Sequence, residues 1–214
     1  MIRILSSLVL ISTITTLSAQ RDEAKVILDQ LVSTYQSYDN LTMIADMTLT
    51  YPEEEPQRSK LTITQEGIKF VLLHPEQEIY CDGKDVYLYL PQRNEVQIND
   101  YDPEAIQEDF MITPIDLLRQ YESGEYGYAL TKNDGKNIEL EFKPLSDDHD
   151  YSKYRISIST PALEIYDVFA LGKDGSRIQF EVTSLETNRS LAADIFQWDS
   201  SAHPGVHTED LRLD

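Results

Sequence analysis

From Asp22 onward the apolar residues Ala24, Ile27, Leu28, Leu31, Tyr35 and Tyr38 recur at the i, i+3, i+4, i+7 spacing of one helical face. That spacing predicts an amphipathic helix ending at the turn formers Asp39 and Asn40. The period then falls to two. Leu41, Met43, Ala45, Met47, Leu49 and Tyr51 alternate with Thr42, Ile44, Asp46, Thr48 and Thr50, which predicts a long strand with one apolar face. Residues 52–56 (Pro-Glu-Glu-Glu-Pro) read as a loop. Alternation returns at Leu61 and Ile63, and again at Ile68, Phe70 and Leu72. Residues 78–81 and 86–90 flank Asp82-Gly83 and predict a hairpin, and a short strand is expected over 94–98.

Residues 99–124 break the pattern. Thr113-Pro114-Ile115-Asp116 offers a capping hydroxyl, a proline at the first helical position and an acid in the first turn. Ile115, Leu118 and Tyr121 then form a short apolar stripe before Gly124, so a short helical insertion is expected. Strand alternation resumes at 138–143 and 154–158. Lys173-Asp174-Gly175-Ser176 joins 165–171 to Ile178, Phe180 and Val182, and Phe196 with Trp198 is expected to mark the last strand. This amounts to about ten or eleven strands joined by short turns, an antiparallel sheet with one wet face, too wide to stay flat. It should curl into a barrel or half-barrel. The expectation is a mainly β single domain over residues 20–214.

Residues 1–19 read as a separate object. Arg3 is the only charge before Arg21, and the apolar run Ile4–Leu17 is too short to span a bilayer. With small residues at Ser18-Ala19 it fits a secretory signal peptide cleaved before Gln20. The expected location is the periplasm, as a soluble protein.

Composition narrows the partners. Acidic residues outnumber basic ones 38 to 18, for a formal net charge of −20. Nucleic acid is therefore excluded as a partner, because that affinity rests on Lys and Arg neutralising phosphates. The single cysteine, Cys81, lies in an apolar stretch and reads as a buried small hydrophobe. His203 and His207 have the spacing of a helical zinc pair, but Pro204-Gly205 between them argues for surface loop histidines. Asp147-Asp148-His149-Asp150 lacks the order of a calcium loop and reads as a solvated turn. There is no G-x-S-x-G elbow and no Gly-rich phosphate loop. No catalytic residue, metal or cofactor is expected.

What stands out is apolar: Met43 and Met47 on one strand face, and thirteen tyrosines, several on strands. Two readings fit, and periodicity alone does not decide between them. One is an ordinary sheet core. The other is a concave face that encloses apolar chains, with flexible methionines adapting to them.

Gln77–Pro91, with Asp82-Gly83-Lys84-Asp85 at its centre, resembles the D-G-K hairpin of LolA-type outer-membrane lipoprotein carrier proteins. Thr113–Leu118 is similar to the helix that interrupts their sheet. Phe196-Gln197-Trp198, Pro204-Gly205-Val206 and Asp210-Leu211-Arg212 resemble their C-terminal close. The resemblance runs from about residue 22 to 212. It implies an unclosed antiparallel half-barrel under a helical lid, acting as a monomer. Its ligands would be the acyl chains of lipoproteins, received from an inner-membrane lipoprotein-releasing ABC transporter and passed to an outer-membrane acceptor. On this reading Leu41, Met43, Ala45, Met47, Ile63, Phe70 and Leu72 line the acyl cavity, and Leu28, Leu31, Ile115 and Leu118 form the lid. The family's Arg-Pro pair before the third strand is missing, since this chain reads Thr64-Gln65-Glu66-Gly67-Ile68-Lys69-Phe70 there. A lipoprotein-binding sensor of the same fold, a secreted esterase and a structural or adhesive surface protein are the competing readings.

Overall fold

The computed structural model describes residues 8–102, 118, 121 and 123–213. A helix, α1 (Leu8–Gln36), leads into β1 (Leu41–Thr50), β2 (Gln57–Glu66), β3 (Lys69–His74), β4 (Gln77–Cys81), β5 (Asp85–Leu90) and β6 (Glu95–Asp100). After the interruption come β7 (Tyr126–Asn133), β8 (Asn137–Pro144), β9 (Tyr151–Ser159), β10 (Glu164–Gly172), β11 (Arg177–Thr187) and β12 (His207–Asp210). The helix starts well before Asp22, inside the N-terminal apolar run. Within the expected insertion, Leu118, Tyr121 and Ser123 are helical; the Thr113–Asp116 cap and Ile115 lie outside the described residues.

All twelve strands belong to one sheet, ordered β12-β6-β5-β4-β3-β2-β1-β11-β10-β9-β8-β7. The edge strands β12 and β7 do not meet, so this is the unclosed half-barrel with a helical lid that the pattern and the resemblance imply, with one or two more strands than the alternation suggests. Every pairing is antiparallel except β12 on β6. The hairpin at Asp82-Gly83 forms as expected: Gly83 takes a φ of +92°, and the Asp82 carboxylate accepts from the Lys84 and Asp85 amides. Bulges, between Ile44 and Ala45 on the β11 side and along β7 and β10, bend the sheet. The seam between β1 and β11 joins the two halves, pairing Leu41 with Thr187 at one end and Thr50 with Arg177 at the other.

Register sorts the side chains into inner and outer faces. Inner rows include Met43–Ile63–Leu72–Ile79 across β1–β4, and Ile165–Ile158–Ile138 across β10–β8. α1 lies on this inner face, burying Ala24, Ile27, Leu28, Leu31, Val32 and Tyr35. It is pinned at two places on the same cross-strand row. The buried Tyr35 hydroxyl accepts from the Ile165 amide at 3.0 Å, and Asn133 donates to Glu23 at 3.1 Å. The helix therefore covers the end of the half-barrel where β1 begins.

Three expectations need correcting. Phe196 and Trp198 are not in a strand: the chain turns there, with Gln197 donating to the Asp194 carbonyl, and the last strand is β12. Nor is the outer face wet throughout. Phe196 is buried, and Trp198 packs edge-on against Tyr80 and tilted against Tyr89, so the C-terminal segment covers part of the outer face of β4 and β5. His203, expected as a surface loop residue, stacks on Trp198 at 4.2 Å. Arg212 closes this strap, donating to the buried Asp85 carboxylate at 3.0 Å and to Asp210 at 2.6 Å.

Candidate functional site

The expected cavity residues do share the inner face. Leu41, Met43, Ala45, Ile63, Phe70 and Leu72 are all buried, as are Leu28, Leu31 and Leu118, the residues expected in a lid. All but Ala45 join one continuous apolar cluster in which α1 packs against the sheet. Ile115 lies outside the described residues. Cys81 sits in the same cluster opposite Phe70, fully buried, and burial pushes its thiol up from the ordinary range. In this conformation the inner face under α1 is filled by the chain's own side chains.

Met47 is different. Along β1 the inner-face residues Leu41, Met43 and Ala45 are buried, Met47 and Leu49 are half-buried, and Tyr51 is 38% exposed. The seam continues this gradient onto β11, because Met47 pairs with Phe180 and Leu49 with Ile178, and both partners are half-buried. An apolar strip thus emerges from the core at the end of the half-barrel that α1 does not reach. Ile178 and Phe180 could be read from sequence as strand residues. Their place beside Met47 could not, because β1 and β11 are far apart in the chain.

Tyrosines border this strip. Tyr154 lies on the same inner row as Ile178, through Ala170. Its ring meets those of Tyr151 at 5.3 Å and Tyr126 at 5.9 Å, and the Tyr126 hydroxyl lies 3.2 Å from His149 Nδ1. Burial pushes all three phenols up from their ordinary range, so they remain uncharged donors. The Asp147–Asp150 turn is otherwise exposed, as expected.

At the covered end, Tyr121 of the helical insertion donates to Asp29 of α1 at 2.6 Å. Lys25 forms an ion pair with the same carboxylate at 2.8 Å. Together they hold the Asp29 carboxyl below its ordinary value, the Lys25 hydrogen bond having the larger effect. A separate depression of about 440 Å³ lies among Glu139, Arg155, Ser157, Asp167 and Gln179. Those side chains belong to outer-face rows, and it takes no part in the apolar strip.

Among the described residues no group of His, Cys, Asp and Glu could hold a metal ion, and no helix is long and apolar enough to cross a membrane. No protein of curated function matches the chain. An uncharacterised conserved protein from Thermus thermophilus has a similar structure, with a TM-score of 0.57 at 10% identity over 88% of this chain and 99% of that one. A LolA superfamily protein from Nitrosomonas europaea follows at a TM-score of 0.45 and 14% identity, covering 82% and 98% of the two chains. A putative outer membrane lipoprotein-sorting protein domain from Vibrio parahaemolyticus gives 0.45 and 12%, covering 80% and 94%. At such identities the likeness concerns the fold alone. Sequence carries the family: the model described as outer membrane lipoprotein carrier protein LolA matches residues 69–199, from β3 to the Trp198 turn and more than half of the chain. This chain belongs to the LolA family.

Proposed function

We propose that this protein is a periplasmic carrier that shields the acyl chains of lipoproteins between the inner and outer membranes. It would receive them from an inner-membrane ABC transporter and release them to an outer-membrane acceptor. The observation that carries this reading is the half-buried strip of Met47, Leu49, Ile178 and Phe180 on the inner face of a LolA-family half-barrel. An acyl chain laid on the strip extends the existing core, and deeper entry requires α1 and the helical insertion to shift away from the sheet. Polarizable, unbranched Met43 and Met47 suit such repacking.

Energetics favour a handover over free release. Each buried methylene contributes about 0.8 kcal/mol, so three long chains sum to about 30 kcal/mol. That exceeds the roughly 20 kcal/mol ceiling of non-covalent affinity. Exchange between an apolar groove and a bilayer is close to balanced, and partners then set its direction. The role asks for binding groups alone, which agrees with family members being binding or carrier proteins.

The test is native mass spectrometry of the protein isolated from its own periplasm. The expected result is a one-to-one complex with an acylated protein, starting from a mature chain that begins near Gln20. A protein free of acylated cargo that also fails to take up lipoproteins from inner-membrane vesicles would refute the carrier role.

A further inference from the structure

The far end of the half-barrel combines three features that no one element supplies. The first is the apolar strip, which surfaces there as Leu49, Tyr51 and Ile178. The second is the tyrosine border of Tyr126, Tyr151 and Tyr154, rings with an apolar body and a donor tip, suited to a boundary between hydrocarbon and polar groups. The third is charge. At this end the β3–β4 and β5–β6 turns carry Glu76 and Arg93, of opposite charge, and three other turns are acidic: the β1–β2 loop with Glu53, Glu54 and Glu55, the β8–β9 loop with Asp147, Asp148 and Asp150, and the β10–β11 turn with Asp174. All seven carboxylates of these three turns are exposed. The basic residue among them, Lys173, donates to the Asp147 carbonyl at 2.6 Å.

Resting on the carrier reading, we propose that this end is the mouth, and that it selects the head of the ligand by charge. An acylated peptide seats its chains over Met47, Leu49, Ile178 and Phe180. Its ester and amide carbonyls reach the half-buried Tyr151, beside the buried Tyr126 and Tyr154, and its neutral or cationic peptide leaves past the acidic loops. A phospholipid with the same chains brings an anionic phosphate to the same place. There it meets seven carboxylates and is rejected, because like charges brought together at an interface act against the wrong partner. The opposite end, closed by α1 and the Tyr121–Asp29 contact, is the blind end.

Three probes sharing dioleoyl chains test this with the full-length mature protein: a lysine-bearing lipopeptide, dioleoylglycerol and dioleoyl phosphatidylglycerol. Each displaces a bound fluorescent fatty alcohol at low salt. The lipopeptide is expected to bind roughly tenfold or more tightly than the phosphatidylglycerol, with the preference shrinking as salt screens it. The combined variant Glu53→Gln, Glu54→Gln, Glu55→Gln, Asp147→Asn, Asp148→Asn, Asp150→Asn, all in exposed loops, should bring the two within about threefold and leave dioleoylglycerol unchanged. A diazirine placed beside the lipopeptide ester should label residues near Tyr51 and Tyr151. Equal binding of all three probes, or labelling at the β2–β3 turn around Gly67, overturns the mouth while leaving the carrier intact. Failure of every acyl probe to bind overturns both.

Discussion

The Tyr121 hydroxyl donates a 2.6 Å hydrogen bond to Asp29, joining the helical insertion to α1 across 92 residues of chain. It is a contact between the two helical pieces covering the sheet, and Lys25 reinforces it from the same helix, its ammonium 5.9 Å from the Tyr121 ring centre. Because the Asp29 carboxylate is half exposed while the Tyr121 ring is buried, the bond itself contributes little to global stability and more to how tightly the cover is held. Tyr121→Phe keeps the buried ring and removes the bond. It should cost at most about 1 kcal/mol, read by urea unfolding, while amide exchange around Leu118 and Tyr121 accelerates and bound acyl probe leaves faster. Unchanged exchange there would show that the bond does not hold the cover.

Phe70 and Phe180 both present an aromatic ring to the inner face, but only Phe70 is buried. A glutamate at Phe70, opposite Cys81, would place a charge in the filled core and should cost about 3 kcal/mol or more of stability. Phe180→Glu can turn its carboxylate toward solvent. Its expected signature is loss of acyl retention with only a few degrees lost in melting temperature. Thr48→Glu, on the opposite face of β1, should do neither. If Phe180→Glu retains cargo normally, the strip is not the binding surface.

Asp85 is buried at 5% exposure and relies on Arg212, with the more exposed Lys84 at 3.4 Å as a second partner. Arg212→Ala should lower the urea unfolding midpoint, because it leaves a buried carboxylate poorly paired. Arg212→Ala with Asp85→Asn should recover part of that loss in a double-mutant cycle. The same arginine holds Asp210 at about 2, so that carboxylate's contribution is fully present above its ordinary value near 3.8 and is lost as pH falls through 2. Additive single effects would mean that the strap is held by Trp198 packing and not by this ion pair.

Burial pushes Tyr35 up to about 12 from an ordinary 10, even though its hydroxyl accepts from the Ile165 amide. An acid whose midpoint is raised by folding contributes fully below the unfolded value and loses its contribution as pH rises through the folded one. Thermal stability should therefore hold steady to about pH 9 and fall between pH 10 and 12, with a tyrosinate absorbance step coincident with unfolding. Tyr35→Phe should cost about 1–2 kcal/mol at neutral pH by orphaning the Ile165 amide. A tyrosinate signal completed well before unfolding would contradict this.

Local pattern made α1 and the long strands legible. The 3.6 period of Ala24 to Tyr35 names the buried face of the helix, and the alternation of Leu41 to Ala45 names that of β1. The Asp82-Gly83 turn fixed a register that periodicity alone leaves free. Three things were out of reach for the same reason: each depends on contacts between residues distant in sequence. The pairing of Met47 with Phe180 decides which part of the apolar face surfaces. Trp198 reads as a strand residue because it is apolar beside Phe196, yet its ring is claimed by Tyr80 and Tyr89 on another element. Met47 and Met43 are indistinguishable by period, and only the reach of α1 separates a buried one from a half-exposed one.

The β1–β11 seam has a consequence for the chain's history as well as its shape. A strand near the start is held by one near the finish, so a nascent polypeptide lacks the central joint of its sheet until Thr187 has left the ribosome. Up to that moment β1 has only its β2 side paired, and the two halves are hairpin ladders without their shared spine. Late closure delays stable folding until β11 is available to pair with β1.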